Sequence, residues 1–384
     1  MTVTLDDAPE IDRALRQALR GWCPNDMPAE QDASPQSKVR REKAGYTTQS
    51  IYLDETLRGL GVAAATCAVI ADLAQDFFET RPGCMALHCG AFRYNGRLIA
   101  MTGPSRAGKS TLTARLTAEP DMEIFCDDIL PLIDGEAFAL GIAPRLRLPL
   151  PATCTDALGT HVAANLGPHD DRYGYVCTPT VATHGTRAEL SVLLILDRRA
   201  EGRARLHSVK EGEALKYLLS QNMSDLVSAD AAFARLSEFL EKVICLRLVY
   251  ADLEDAVVLL REAFGGNDVV APGTVIHPSI CNQMDDRLPA VQTDPTLRWM
   301  RDSDIMLQTK ADTTFLWKVG TQTIWHMNSQ AYAIWTMLEI PGSATDIGKL
   351  LASHFPGEDE ERVIADVNAL LHALAGAGMI VPAA

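Results

Sequence analysis

The chain has 384 residues, and 35 Lys and Arg against 50 Asp and Glu give it a net charge of −15. That length favours two domains, and 47% hydrophobic with 22% charged residues excludes wholesale disorder. The acidic balance argues against broad binding of nucleic acid or anionic lipid, yet leaves room for a local basic pocket that takes phosphate.

Nine scattered cysteines with no Cys-x-x-Cys pair read as reduced thiols. Cys84 and Cys89 have no second pair to complete a zinc site. The stretch Met1 to Glu10 is acidic and has no apolar segment of a secretory signal. The longest apolar run, Gly59 to Ala71, falls well short of the roughly 20 residues a bilayer requires. The expectation is a cytoplasmic protein without membrane or nucleic-acid partners.

In chain order, residues 11–22 carry helical periodicity and 24–45, rich in Pro and charge, read as a loop or linker. An Ala-rich helix is expected over 54–80. A strand over 85–92, the turn Asn95-Gly96 and a strand over 98–102 form a hairpin. A helix over 109–116 and a short strand over 124–126 come next. A buried strand over 190–196, helices near 211–221 and 229–241, a strand over 243–249 and a helix over 252–264 complete this part. Residues 265–296 lose periodicity and read as a connector. Beyond them come strands over 304–309, 314–319 and 323–327, then three helices. The expected division is an N-terminal, partly flexible arm at 1–45, a catalytic domain at 46–265, a linker at 266–296 and a small domain at 297–384.

The strongest chemical signal is Gly103-Pro-Ser-Arg-Ala-Gly-Lys-Ser-Thr111, a match to G-x-x-x-x-G-K-[ST]. Gly103 and Gly108 let the backbone curl so that N–H groups of Ser105, Arg106, Ala107 and Gly108 converge on phosphate oxygens. The helix that follows adds free N–H groups and the positive end of its dipole. Lys109 brings a point charge, Ser110 can ligate magnesium and Thr111 continues the cradle. An apolar strand before the loop and a helical pattern after it supply the required context, so the domain is expected to bind ATP with Mg2+.

Asp127 and Asp128 follow on an extended segment, where neighbouring side chains point to opposite sides. One is expected to face the metal and the other, Asp127, to accept the proton of a substrate hydroxyl. Arg145 and Arg147, in Pro-Arg-Leu-Arg-Leu-Pro, share one face of a strand and could steady a transferring phosphoryl group. Arg172 and Asp197 are weaker candidates.

His88-Cys-Gly-Ala, the phosphate loop and Phe125-Cys-Asp-Asp-Ile together resemble the HPr serine kinase family. The fold of that family is similar to that of phosphoenolpyruvate carboxykinases. The resemblance implies an α/β fold and ATP-dependent transfer to a serine, with His88 positioning the aspartate base. Glu136-Ala-Phe-Ala-Leu-Gly-Ile142 is similar to the family signature Glu-x-Arg-Gly-Leu-Gly-Ile. By that likeness Glu136 joins Ser110 and Asp128 as a metal ligand. Phe138 and Ala139 replace the Arg and first Gly, which weighs against the reverse, phosphorylase-like activity and against recognition of HPr itself. The family is often oligomeric, so a homo-oligomer stays open.

The last ninety or so residues suggest a small winged-helix-like α+β body. From Trp325 to Gly378 the only Lys or Arg residues are Lys349 and Arg362, too few to neutralise DNA phosphates. The order Met-Asn, Ala-x-x-Ile-Trp, Leu-Glu, Gly-Ser-Ala-Thr-Asp-Ile, Asp-Val and Gly-Met-Ile is similar to the PqqD-like family. That resemblance implies capture of a leader peptide as an added strand at the edge of the small sheet. Joined, the two halves suggest a kinase acting on Ser or Thr of a ribosomally made precursor peptide. The alternatives are an ATP-switched peptide-delivery protein and a kinase for a small-molecule hydroxyl.

Overall fold

The computed structural model describes residues 1–23, 36–223, 228–280, 293–354 and 357–383. Of these, 1–208, 220–223 and 242–278 form one compact unit, and 209–219, 228–241 and the stretch from 279 onward form a second.

The first unit opens with β1 (Val3–Asp6), α1 (Pro9–Ala18), β2 (Ser37–Glu42), β3 (Gly45–Ser50) and β4 (Leu57–Leu60), followed by α2 (Val62–Glu79). The four strands form a sheet in the order β1-β2-β3-β4. Ile11, Val39, Tyr46, Ala65 and Val69 make its core with the two helices. Residues 1–45 are therefore not an arm in their described part. Val39 is fully buried between exposed or half-buried cations, an alternation that pays for pairing β2 with β3. The rest of the expected loop, 24–35, lies outside the described residues. The expected helix at 54 begins only at Val62, because Leu57–Leu60 pairs with β3 and Gly59 takes φ 67°.

Next come β5 (Met85–His88), β6 (Gly90–Tyr94), β7 (Arg97–Thr102), α3 (Lys109–Leu116), β8 (Met122–Cys126), β9 (Ile129–Ile133), β10 (Glu136–Phe138) and β11 (Arg145–Arg147). They are followed by α4 (Asp156–Ala164), β12 (Leu166–His169), β13 (Tyr173–Val176), β14 (Arg187–Arg198) and β15 (Arg205–Ser208). After α5 (Glu211–Gln221) and α6 (Ala229–Leu240), the unit closes with β16 (Ile244–Tyr250), α7 (Leu253–Phe264) and β17 (Ile276–His277).

The main sheet runs β8-β6-β7-β14-β16-β15-β17, with β7, β14 and β16 parallel. Its central strands are apolar on both faces, as a doubly covered sheet requires. The twelve-residue β14 also reaches, through Arg187–Glu189, an antiparallel sheet β14-β10-β9-β5. The expected connector partly belongs here, since β17 pairs with β15; residues 281–292 lie outside the described residues.

The second unit contains β18 (Arg298–Arg301), β19 (Ile305–Lys310), β20 (Thr313–Lys318), β21 (Trp325–Met327), α8 (Ser329–Met337), β22 (Gly342–Ser343), α9 (Ala344–His354), α10 (Glu360–Gly376) and β23 (Ile380–Pro382). Strands β19-β20-β21 form an antiparallel sheet. Leu316 and Met327 pack with Ile334 and Trp335 of α8, Ile347 of α9, and Val367 and Leu371 of α10.

Helices α5 and α6, expected within the catalytic part, mostly belong to this unit. Phe233 of α6 lies 5.3 Å from the Phe315 ring and 4.9 Å from Trp317. The Trp317 indole N–H donates to Asp230 at 2.9 Å, and Lys310 pairs with Glu211 at 3.0 Å. The reason lies in β20: Phe315, Leu316 and Trp317 are all buried, so the strand needs cover on both faces.

Candidate functional site

Strand β7 delivers the loop 103–108 to α3. Gly103 has φ 151°, and a Cβ there would stand 2.8 Å from the Leu196 carbonyl oxygen. Gly108 has φ 94°, and its Cβ would meet the Tyr250 hydroxyl at 2.4 Å. Glycine is required at both positions, at the first by close approach and at the second by conformation as well. The Tyr250 hydroxyl donates to the Ala107 carbonyl at 2.9 Å and braces the loop from β16. No side chain caps the start of α3, so its first N–H groups stay available to an anion. At its far end Arg115 binds Glu254 of α7 through Nε and Nη2, at 2.7 to 2.9 Å. Lys109 Nζ donates to the Gly103 carbonyl at 3.1 Å, and burial lowers its pKa against the opposing pull of Cys89, Asp128 and Asp127.

The carboxylate pair sits where β8 turns into β9. Asp127 Oδ2 accepts the Arg145 backbone N–H at 3.1 Å, whereas its Oδ1 is buried and has no hydrogen-bond partner among the described residues. Burial pushes the Asp127 carboxyl up to about 6, with the Arg145 N–H opposing, Asp128 adding and the nearby Ser110 hydroxyl opposing. Asp128 turns outward, and its Oδ1 lies 3.0 Å from His88 Nε2. That bond to His88 holds the Asp128 carboxyl below its usual range, with burial opposing. His88 therefore pairs with Asp128, not with Asp127 as expected for a residue positioning the base. The Arg145 guanidinium lies 5.0 Å over the Tyr173 ring and donates to Cys67 Sγ.

The structure thus gathers His88, Lys109, Ser110, Asp127, Asp128 and Arg145 around the loop. Ser105 and Arg106 are exposed on its crown and Ala107 is buried beneath it. Arg147 is exposed farther along β11 and has no hydrogen bond to this cluster among the described residues. Glu136 does not join: it opens β10, between Ile133 and Glu189 of neighbouring strands, and faces Arg187 at 3.5 Å. Asp197 is likewise engaged by Arg199 at 2.7 Å and Arg247 at 3.5 Å. Arg172 is exposed in its turn.

Beside the loop a narrow cleft is lined by Gly108, Thr111, Thr153, Cys154, Arg198 and Tyr250, among others. Arg198 Nη2 donates to the Thr153 hydroxyl at 3.2 Å along its rim. Neither Tyr250 nor Cys67 stands out in the sequence. A tyrosine ending an apolar strand and a cysteine inside a helix carry no local signal of such contacts.

Among the described residues no three His, Cys, Asp or Glu side chains form a metal cage. The donors present, the Ser110 hydroxyl and the orphaned Asp127 Oδ1, are hard oxygens of the kind magnesium takes when phosphates supply other ligands. In the second unit, β21 is one edge of its sheet, and the Trp325 indole N–H there is buried with no partner among the described residues. Among the described residues no helix is long and apolar enough to cross a membrane.

Residues 314–380 match the family model described as PqqD, coenzyme PQQ synthesis protein D. Two solved structures are similar. One is TbiB1 in complex with the TbiA(beta) leader peptide, at 20% identity over 22% of this chain and 98% of that one, with a TM-score of 0.20. The other is the HPr(Ser) kinase/phosphatase from Coxiella burnetii, at 11% identity over 45% of this chain and 90% of that one, with a TM-score of 0.23. No curated protein matches the chain. The C-terminal segment is a PqqD-type domain, joined to an α/β unit built around a phosphate-loop motif.

Proposed function

We propose that the chain is an ATP-dependent kinase that phosphorylates a Ser or Thr hydroxyl of a ribosomally made precursor peptide held by its PqqD-type domain. The observation that carries this reading is the carboxylate pair beside the loop: Asp127 half-buried with its Oδ1 buried, Asp128 exposed and paired with His88. A pure nucleotide switch has no use for a second, outward carboxylate with a histidine partner.

The triphosphate lies along the loop N–H groups and the start of α3, with Lys109 turned from the Gly103 carbonyl toward the terminal phosphates. The nucleoside half occupies the cleft at Thr111, Cys154 and Tyr250. Ser110 and Asp127 Oδ1 would hold Mg2+, which would supply charge neutralisation to the phosphates. This exchanges the roles expected from chain order, because the Ser110 hydroxyl acts on the Asp127 carboxyl. Asp128 orients the acceptor hydroxyl and takes its proton, and His88 fixes the carboxylate. A base with a lowered pKa suffices, since a loose phosphoryl-transfer transition state keeps that proton until late. The Arg145 guanidinium stabilises charge on the transferring group.

The leader segment pairs with the edge of β21, as the PqqD resemblance implies, and raises the local concentration of the tethered acceptor. The test is incubation of Asp128→Asn and wild-type chains with ATP, magnesium and precursor peptide. The expected result is a mass gain of one phosphate only with wild type, and equal ATP binding by both. Equal phosphorylation by both chains would overturn the assignment.

A further inference from the structure

Arg145 is held by more than its strand requires. Its backbone N–H binds Asp127, its guanidinium covers the Tyr173 ring, and its Nη1 donates to Cys67 Sγ. Cys67 comes from α2, between the buried residues Thr66 and Val69, and the buried Tyr175 side chain lies close to the same sulfur. Tyr175 is also the cross-strand partner of Arg145 in the β11–β13 ladder. The guanidinium is thus bounded by a ring and a sulfur that are themselves fixed by packing. Among the described residues no carboxylate lies within ion-pair distance of it.

We infer that Cys67 is a positioning residue, whose sulfur fixes the Arg145 guanidinium beside Asp127 and Asp128 without cancelling its charge. A flexible arginine loses side-chain entropy when it is ordered, so fixing it beforehand removes that cost from the reaction step. A carboxylate in place of Cys67 would fix the side chain as well, yet would offset the positive charge meant for a phosphoryl group. A thiol accepts the hydrogen bond without that loss. The consequence for rate rests on the kinase reading above; the contact itself does not.

The experiment uses the full chain and three variants, Cys67→Ser, Cys67→Ala and Cys67→Asp. Arginine Nε–H resonances are recorded by 15N–1H NMR, with Arg145→Lys assigning the signal. Transfer from γ-labelled ATP to precursor peptide is measured in parallel. The Arg145 signal is expected to stay immobilised in wild type, Cys67→Ser and Cys67→Asp, and to average in Cys67→Ala. The kcat is expected to fall about tenfold in Cys67→Ala and Cys67→Asp, and to stay within about twofold in Cys67→Ser, with KM for ATP unchanged. An Arg145 signal unmoved by Cys67→Ala overturns the inference, whether or not the chain transfers phosphate. So does a loosened Arg145 with an unchanged kcat. Absence of transfer by wild type overturns the kinase reading instead, and the NMR result then decides the contact alone.

Discussion

His88 Nε2 stands 3.0 Å from Asp128 Oδ1, and through this contact the exposed member of the carboxylate pair, not the half-buried one, acquires the histidine. The two carboxylates have opposite environments as a result. Asp128 is held below the usual carboxylate range by His88, and Asp127 is raised by burial. Asp128→Asn is expected to lower kcat by about 10²–10⁴-fold, the range of a lost general base, with ATP affinity retained. His88→Ala should cost less. Steady-state kinetics and nucleotide titrations of both variants check this.

Asp127 gives a prediction about stability in the absence of magnesium. A carboxyl raised from 3.8 to about 6 lowers stability where it must ionise in the folded state. The cost is absent below 3.8, grows as pH rises to about 6 and is complete above it. Asp127→Asn removes it, so the melting temperature of the nucleotide-free chain should rise at pH 8, with the gain shrinking toward zero near pH 4. The full effect is at most about 3 kcal/mol. A gain of equal size at both pH values would contradict the assignment.

The bond from Tyr250 to Ala107 predicts the behaviour of the loop. Tyr250→Phe leaves the buried Ala107 carbonyl without this donor and should weaken ATP binding by about 1 kcal/mol, or roughly fivefold. Gly108→Ala should act more severely, because it adds a Cβ both at φ 94° and 2.4 Å from the same hydroxyl. Calorimetric titration with ATP measures both.

Cys154 reports on the cleft. If the nucleoside lies against it, ATP and ADP should slow its alkylation, mapped by mass spectrometry. Inorganic tripolyphosphate, which fits the loop but not the cleft, should leave the rate unchanged. Equal protection by both would place the nucleoside elsewhere.

The second unit predicts that residues 297–384 are not self-sufficient. Without α6, Phe315 and Trp317 would be stripped of Phe233 and Asp230. Trp317→Ala in the full chain should destabilise this unit by about 3–5 kcal/mol, the usual cost of emptying a buried aromatic site. Thermal unfolding followed by hydrogen exchange in β20 checks it.

The parts of this architecture that could be read from letters are those in which each position is locally constrained. The phosphate loop needs its two glycines, and Asn95-Gly96 takes φ 48° and 77° as a two-residue hairpin turn demands. The three-helix order of the C-terminal domain also shows in its periodicity. The N-terminal sheet was hidden, because β2 is mostly charged and its one fully buried apolar residue, Val39, gives no period. The place of α5 and α6 was written in Phe315-Leu316-Trp317, whose apolar letters occupy both faces of a strand, but nothing there names the covering helices. Glu136 was carried to the metal by its motif, while the turn at Asp134 and Gly135 sends it to Arg187. The Cys67 contact joins residues 78 positions apart and leaves no local trace.

The most direct test of the central claim is transfer from γ-labelled ATP to the precursor peptide, with Lys109→Ala and Asp128→Asn as controls. The account predicts label on a Ser or Thr of the peptide with wild type and none with either variant. Retained ATP and peptide binding without any transfer of label would contradict it.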